Sequence, residues 1–321
     1  MPIFLSPARF AAALTLTASA ATAAAPIQAR DDLGRVVTLA APARRAVTLT
    51  PHATELAYAA GAGRYIAATV LGSDYPPAAR ALPVVGDGTR PDPERLAAAR
   101  PDLLIAWQPA AAGSGAAGSG AAGSGAAGSG ASDAALRFME RLGVPVYYSD
   151  PRTLAAIPDA VERLGVLFGT EPQAREAARA LRGRLAALSA RYAGRRPVRV
   201  FLQAGLEPVF TLSDASIVGD ALRLCGGVNV FARMPALAPR VGLESVLAAR
   251  PEAVIAGVMS PSDAARDLRV WQARGLPAAR AGHVYGVDAD ALYRPGPRLV
   301  DAAETICAAL DRVRAGDAKA E

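Results

Sequence analysis

Short apolar runs alternate with amphipathic stretches along most of this chain. Residues 44–49 (RRAVTL) read as a strand, and residues 50–55 (TPHATE) open a helix that ends in the glycines of residues 60–63. Residues 65–70 read as the next strand. Asp92, Pro93 and Glu94 open another helix, with Asp as its cap and Pro as its first residue. Residues 101–107 (PDLLIAW) read as a turn followed by a buried strand. A helix then starts at Ser132 or Asp133 and stops at Gly143, and residues 144–148 (VPVYY) form a further strand. Such alternation predicts a mainly parallel sheet with helices on both faces.

Residues 171–194 break this rhythm. Alanine, leucine and arginine recur there at helical spacing, with Leu181, Leu185 and Leu188 on one stripe. The 24 residues predict one helix of about 36 Å. A second α/β region follows: strands at 198–203, 253–256 and 284–287, and helices at 216–225, 243–249 and 298–313. The expected fold class is therefore α/β, with two Rossmann-like lobes joined by one long backbone helix and a ligand cleft between them. The expected divisions are an N-terminal lobe at 26–150, a connecting helical segment at 151–195 and a C-terminal lobe at 196–316. An internal echo supports two related lobes: residues 91–106 (PDPERLAAARPDLLIA) resemble residues 241–256 (VGLESVLAARPEAVIA).

Residues 111–130 are AAGSG repeated four times. Gly/Ser/Ala sequence cannot bury enough side chain to offset its ordering entropy, so a flexible insertion is expected. Its flanks are strand and helix of one crossover unit, which places it inside the first lobe at the carboxyl end of a strand.

Residues 1–25 carry Arg9, an apolar run at 10–20 and small-residue cleavage sites at 21–23 and 23–25. They read as a secretory signal rather than a buried helix. No later window is long and apolar enough for a membrane span, and no Cys lies near the cleavage site to take a lipid anchor. A soluble, exported protein is expected. Export would let Cys225 and Cys307 bond, and two separate buried thiols are the competing reading.

Composition narrows the chemistry. Of 321 residues, 52% are hydrophobic and 20% charged, which excludes a disordered chain. The net charge is +6, but arginine is scattered among acidic residues and the single lysine is Lys319. No basic run supports nucleic-acid binding. With 2 Cys and 2 His, neither a Cys-rich zinc module nor a three-His cage can be built, and no metal site is expected. Aromatics are scarce, at 2 Trp, 8 Tyr and 7 Phe, so a site that stacks rings must use a large share of them. No G-x-S-x-G, phosphate-binding loop, H-E-x-x-H or dinucleotide fingerprint stands in a strand–turn–helix setting, so no enzyme is expected.

Several stretches carry a family resemblance. They are residues 47–61 (VTLTPHATELAYAAG), 73–77 (SDYPP), 101–107, 199–203 (RVFLQ), 208–211 (PVFT), 224–231 (LCGGVNVF), Arg294 and the pair Pro297 and Arg298. The chain resembles the periplasmic substrate-binding proteins with a helical backbone, which serve ATP-driven importers for cobalamin, haem and iron siderophores. Within that group its cobalamin-binding members match best. The resemblance implies a periplasmic carrier with no catalytic cofactor, acting as a monomer. Its ligand would be cobalamin, or alternatively haem or a ferric siderophore, and its partner an inner-membrane permease.

The resemblance implies a cleft lined by Trp107, by Phe210 and by the segment Asp290, Ala291, Leu292, Tyr293 and Arg294. It also puts His52 at a helix start facing the cleft, pairs Cys225 with Cys307, and makes Glu94 and Glu244 the permease-docking carboxylates. Tyr75 is added as a ligand contact because a rigid Pro-Pro turn follows it. Tyr293 and Arg294 precede Pro295-Gly296-Pro297, which predicts a stiff loop. Arg294 would pair with a ligand phosphate or carboxylate, or form a surface salt bridge. His52 or Tyr293 becomes an iron ligand under the haem or siderophore alternative. The cobalamin group carries extra aromatics where this chain has Gly72, Gly88 and Ala238.

Overall fold

The computed structural model describes residues 25–107 and 129–317. The expected export signal, save its last residue, and the repeat up to its last two residues lie outside them. In chain order the elements are β1 (Ile27–Arg30), β2 (Val36–Leu39), β3 (Ala46–Thr48), α1 (Pro51–Ala59), β4 (Ile66–Ala68), α2 (Pro93–Ala98), β5 (Leu103–Ala106), α3 (Ser129–Arg141), β6 (Val146–Tyr148), α4 (Ala156–Phe168) and α5 (Glu171–Tyr192). There follow β7 (Val198–Leu206), β8 (Val209–Thr211), α6 (Ile217–Leu224), β9 (Gly227–Asn229), α7 (Leu243–Ala249), β10 (Ala253–Val258), α8 (Pro261–Ala273), α9 (Pro277–Arg280), β11 (Val284–Asp288), α10 (Ala289–Tyr293) and α11 (Arg298–Asp317).

The first lobe holds a parallel sheet in the order β4-β3-β5-β6. The second holds β11-β10-β7-β8, with β9 also paired to β7; only the β7–β8 pairing is antiparallel. The central strands are apolar throughout because helices cover both their faces: every residue of β3 and β5 is buried. Asp92 caps α2 as expected, accepting from the N–H groups of Glu94 and Arg95.

The long helix α5 has 22 residues and acts as a strut between the lobes. Ala174 packs so closely on Gly165 of α4 that a Cβ at 165 would lie 2.3 Å from it, so glycine is required there. Arg182 bonds Asp159 and Glu162 of α4, while Arg184 bonds Asp301 and Glu304 of α11. The Tyr192 hydroxyl donates to Asp311, also on α11, at 2.8 Å. One helix is thereby tied to both lobes along its length.

The internal echo is a structural repeat. Arg100 and Arg250 both take the left-handed conformation, at φ 47° and 43°, where each helix turns into its strand. After each, the acidic residue donates its backbone N–H to an arginine carbonyl, Asp102 to Arg45 and Glu252 to Arg199. The same carboxylates accept the backbone N–H of those arginines, and the arginine side chains reach back to Ala99 and Ala249. A non-glycine residue in this conformation is uncommon, so its recurrence at matched positions marks a common design.

Some boundaries differ from the sequence reading. The segment at 151–195 is two helices, α4 and α5, divided at Gly169, whose φ of 64° ends the first. Helix α3 begins at Ser129, inside the repeat, rather than at Ser132 or Asp133. Residues Gly63–Tyr65 form a 3-10 turn that delays β4. The β1–β2 hairpin and helix α8 were not singled out by periodicity. Cys225, at the end of α6, is bonded to Cys307 of α11. Among the described residues no helix is long and apolar enough to cross a membrane.

Candidate functional site

The carboxyl ends of the parallel strands are where an open α/β sheet gathers its ligands. In the first lobe these ends set three side chains side by side. Thr50, after β3, caps α1 through its hydroxyl, which fixes His52 in the first helical turn. The His52 ring is buried, and its Nε2 lies 3.0 Å from the Ser149 carbonyl just past β6. A carbonyl can only accept, so Nε2 carries the hydrogen. Burial holds the His52 pKa below its ordinary value, favouring the neutral ring. The ring stands edge-on to Trp107, 6.3 Å between centres, at the end of β5. The Trp107 indole N–H donates to Asp150 at 2.9 Å.

One turn along α1 from His52 sits Glu55, also buried. It accepts two hydrogen bonds from Arg298 of α11, at 2.6 and 3.1 Å. Arg294 lies 3.6 Å from Glu55 and 3.1 Å from Asp74, and bonds Asp290 at 2.6 Å. The Arg298 guanidinium covers the Tyr75 ring at 4.4 Å. Glu55, Asp74 and Tyr75 belong to the first lobe, and Asp290, Arg294 and Arg298 to the second. The strand ends of the two lobes therefore face one another across an ion cluster with buried Glu55 and Arg294 at its centre.

Burial pushes the carboxyls of Glu55 and Asp290 up despite the neighbouring arginines. At Asp74 burial also pushes upward, but the bond and charge of Arg294 outweigh it and leave the carboxyl below its ordinary value. Arg294 is neither a surface salt bridge nor a free clamp: it is 6% exposed, three carboxylates surround it, and its Nε has no partner among the described residues.

The expected stiff loop at 290–294 is the helix α10, capped by Asp288, whose carboxylate accepts the N–H of Ala291 at 2.7 Å. Three of the expected lining residues are packed against the protein itself. Ala291 and Leu292 turn into the hydrophobic core. The Tyr293 hydroxyl donates to the Gln203 carbonyl at 3.1 Å and accepts the Gly257 N–H at 3.2 Å. A Cβ on Gly257 would meet the Tyr293 ring at 2.4 Å, so the ring fills the space that this glycine leaves. Burial raises the Tyr293 phenol to about 12.

Phe210 lies half-buried on β8, and Tyr75 remains 43% exposed. Glu94 and Glu244 are exposed at matched positions on α2 and α7. Sequence reasoning assigned no role to Glu55, Asp74, Asp150 and Arg298. The one available signal was Glu55 itself, a carboxylate at helical spacing among the apolar residues of α1. Among the described residues, no cluster of three or more His, Cys, Asp or Glu side chains is arranged to hold a metal ion.

Residues 47–291 match the sequence profile of the periplasmic binding proteins. The chain belongs to the periplasmic binding protein family. It is thus a binding protein of the periplasm rather than an enzyme. It is 35% identical over 266 residues to the vitamin B12-binding protein of Vibrio cholerae, covering 83% of this chain and 88% of that one. It is 34% identical over 273 residues to the vitamin B12-binding protein of Vibrio parahaemolyticus, covering 85% and 91%. Among solved structures, the periplasmic vitamin B12 binding protein BtuF of Vibrio cholerae superposes with a TM-score of 0.71 at 33% identity, covering 85% of this binding protein and 98% of that chain. The periplasmic heme binding protein HutB of Vibrio cholerae shares the fold, with a TM-score of 0.65 at 21% identity over 83% and 98% of the two chains.

Proposed function

We propose that this periplasmic binding protein captures cobalamin, or a related corrinoid, between its lobes and delivers it to an ATP-driven importer of the inner membrane. The observation that carries this reading is identity of 33–35% to vitamin B12-binding proteins over more than four-fifths of the chain. The local chemistry agrees with it. Asp150 already satisfies the Trp107 indole N–H, so the ring can be held as a wall without a ligand acceptor. Phe210 and Tyr75 add aromatic surface. The haem and ferric-siderophore reading fits less well, because Nε2 of His52 and the hydroxyl of Tyr293 are both engaged by backbone groups.

Glu94 and Glu244 are the docking carboxylates in this reading. They project from equivalent helices of the repeated unit, as a two-fold arrangement of permease pockets would require. In this reading the protein works as a monomer.

Calorimetric titration of the mature protein with cyanocobalamin tests the cargo, with saturable one-site binding expected. No heat at about 50 µM would overturn it, since even weak specific capture gives a signal there. The variant E94A/E244A should keep that affinity and lose uptake in proteoliposomes holding the importer.

A further inference from the structure

The tip of the β7–β8 hairpin borders a cavity of about 590 Å³ that none of the roles above uses. Its floor is apolar, from Leu206, Val209 and Leu243. Its polar walls are two arginines and one carboxylate. Arg274, following α8, donates from Nη2 to Glu207 at 2.9 Å and lies 5.3 Å from the Trp271 ring centre. Its other terminal nitrogen, Nη1, is buried with no partner among the described residues. That N–H is shielded from water, so an acceptor entering the cavity would reach it only by drawing the side chain round, and would then satisfy a donor that is otherwise costly to leave unpaired. Arg240 also lines the cavity, is exposed, and forms no ion pair among the described residues.

The cavity is linked along the hairpin to Phe210, one of the expected cargo contacts. Arg240 pairs through its backbone with Phe210, and the Val241 N–H donates to the Val209 carbonyl at 3.0 Å. Residues paired in this way present their side chains on one face of the ribbon, so Arg240 reaches both the cavity and the side of Phe210.

We infer that Arg240 and Arg274 form an oxyanion subsite at the second-lobe rim of the cleft, which takes a phosphate or carboxylate carried by the cargo. Guanidinium groups with free N–H donors suit such a group, and charge-assisted bonds to it are the strong ones. The inference rests on the cargo lying against Phe210. For a corrinoid the group is the phosphodiester of the nucleotide loop; for haem it would be a propionate.

Cyanocobalamin and dicyanocobinamide, which lacks the phosphodiester, separate the subsite from the rest of the cleft. In R240Q the Kd for cyanocobalamin should rise about tenfold, while that for dicyanocobinamide stays within about twofold of wild type. R274Q should behave alike, with R274K and a melting curve checking that the Trp271 contact survives. Equal loss of both ligands, or loss of neither, overturns the subsite and leaves the cargo reading intact. If wild type binds neither corrinoid, the cargo reading fails and inorganic phosphate decides the subsite. Millimolar phosphate should then shift the Trp271 indole and arginine Nε–H resonances saturably in wild type and not in R240Q. No shift in wild type, or an equal shift in R240Q, overturns it.

Discussion

Glu55 and Arg298 meet across the lobe boundary through two hydrogen bonds, with the Glu55 side chain 1% exposed and that of Arg298 16% exposed. A pair so far from water couples the lobes through charge as well as packing. Removing one partner should cost far more than removing both.

R298A should therefore lose about 3–5 kcal/mol of stability, a fall in melting temperature of roughly 10 °C for a chain of this size. The loss should depend on pH. Burial already raises the Glu55 carboxyl, and without Arg298 it rises further. A group whose folded pKa is raised contributes stability below its unfolded pKa and loses it as pH rises through the folded value. R298A should thus trail wild type by more at pH 7 than at pH 5, measured by urea unfolding. E55Q/R298Q should recover much of the deficit. Equal deficits at both pH values, with no recovery in the double variant, would count against the coupling.

His52 predicts the opposite slope. Burial depresses its folded pKa below 6.5, so the unfolded chain takes up the proton first. Its contribution is present above the unfolded value and is lost as pH falls, by at most about 1.4 kcal/mol per pH unit. Wild type should weaken between pH 7 and pH 5 more steeply than H52Q. Identical slopes would mean that this ring is not held neutral by the fold.

The lobes, the connecting helix and the repeated unit were legible because each rests on local signals: apolar runs bounded by glycine, the Asp92 cap, the A-A-R-P-[DE] turn. The site was less legible. Trp107, Asp290 and Arg294 were singled out, yet the partners that determine what they do lie far away in sequence, at Asp150, Glu55 and Asp74. The Arg294–Asp74 contact spans 220 residues, and no periodicity encodes a pairing at that distance. The segment at 290–294 reads as a loop because two prolines follow it. Asp288 nevertheless caps one helical turn there, and that turn directs Leu292 inward.

The Cys225–Cys307 bond closes a loop of 82 residues between α6 and α11. In the chain-entropy account, a crosslink over that span removes roughly 4–5 kcal/mol of unfolded-state freedom. Reduced protein, or C225A/C307A, should melt roughly 10 °C lower, with cargo affinity at room temperature little changed, because neither sulfur lies near Trp107 or Phe210 in the chain or on their strands. A melting curve indifferent to reductant would show that the packing of α6 on α11 carries the region alone.

Trp107 separates surface from hydrogen bonding in the proposed cleft. Its ring offers the face, and Asp150 fixes the ring through the indole N–H. W107A removes both and should weaken cyanocobalamin binding about thirtyfold, as expected for a Trp at the centre of a contact. W107F keeps an aromatic face without the N–H and should fall between W107A and wild type. D150A keeps the indole but frees it to turn, and leaves a half-buried N–H unpaired; a loss of about threefold to tenfold is expected. If the ring were only core packing, W107A would lower the melting temperature and leave affinity unchanged, and D150A would have no effect on binding. The order W107A, then W107F and D150A, then wild type, read by calorimetry on folded variants, is what a ligand-facing wall requires.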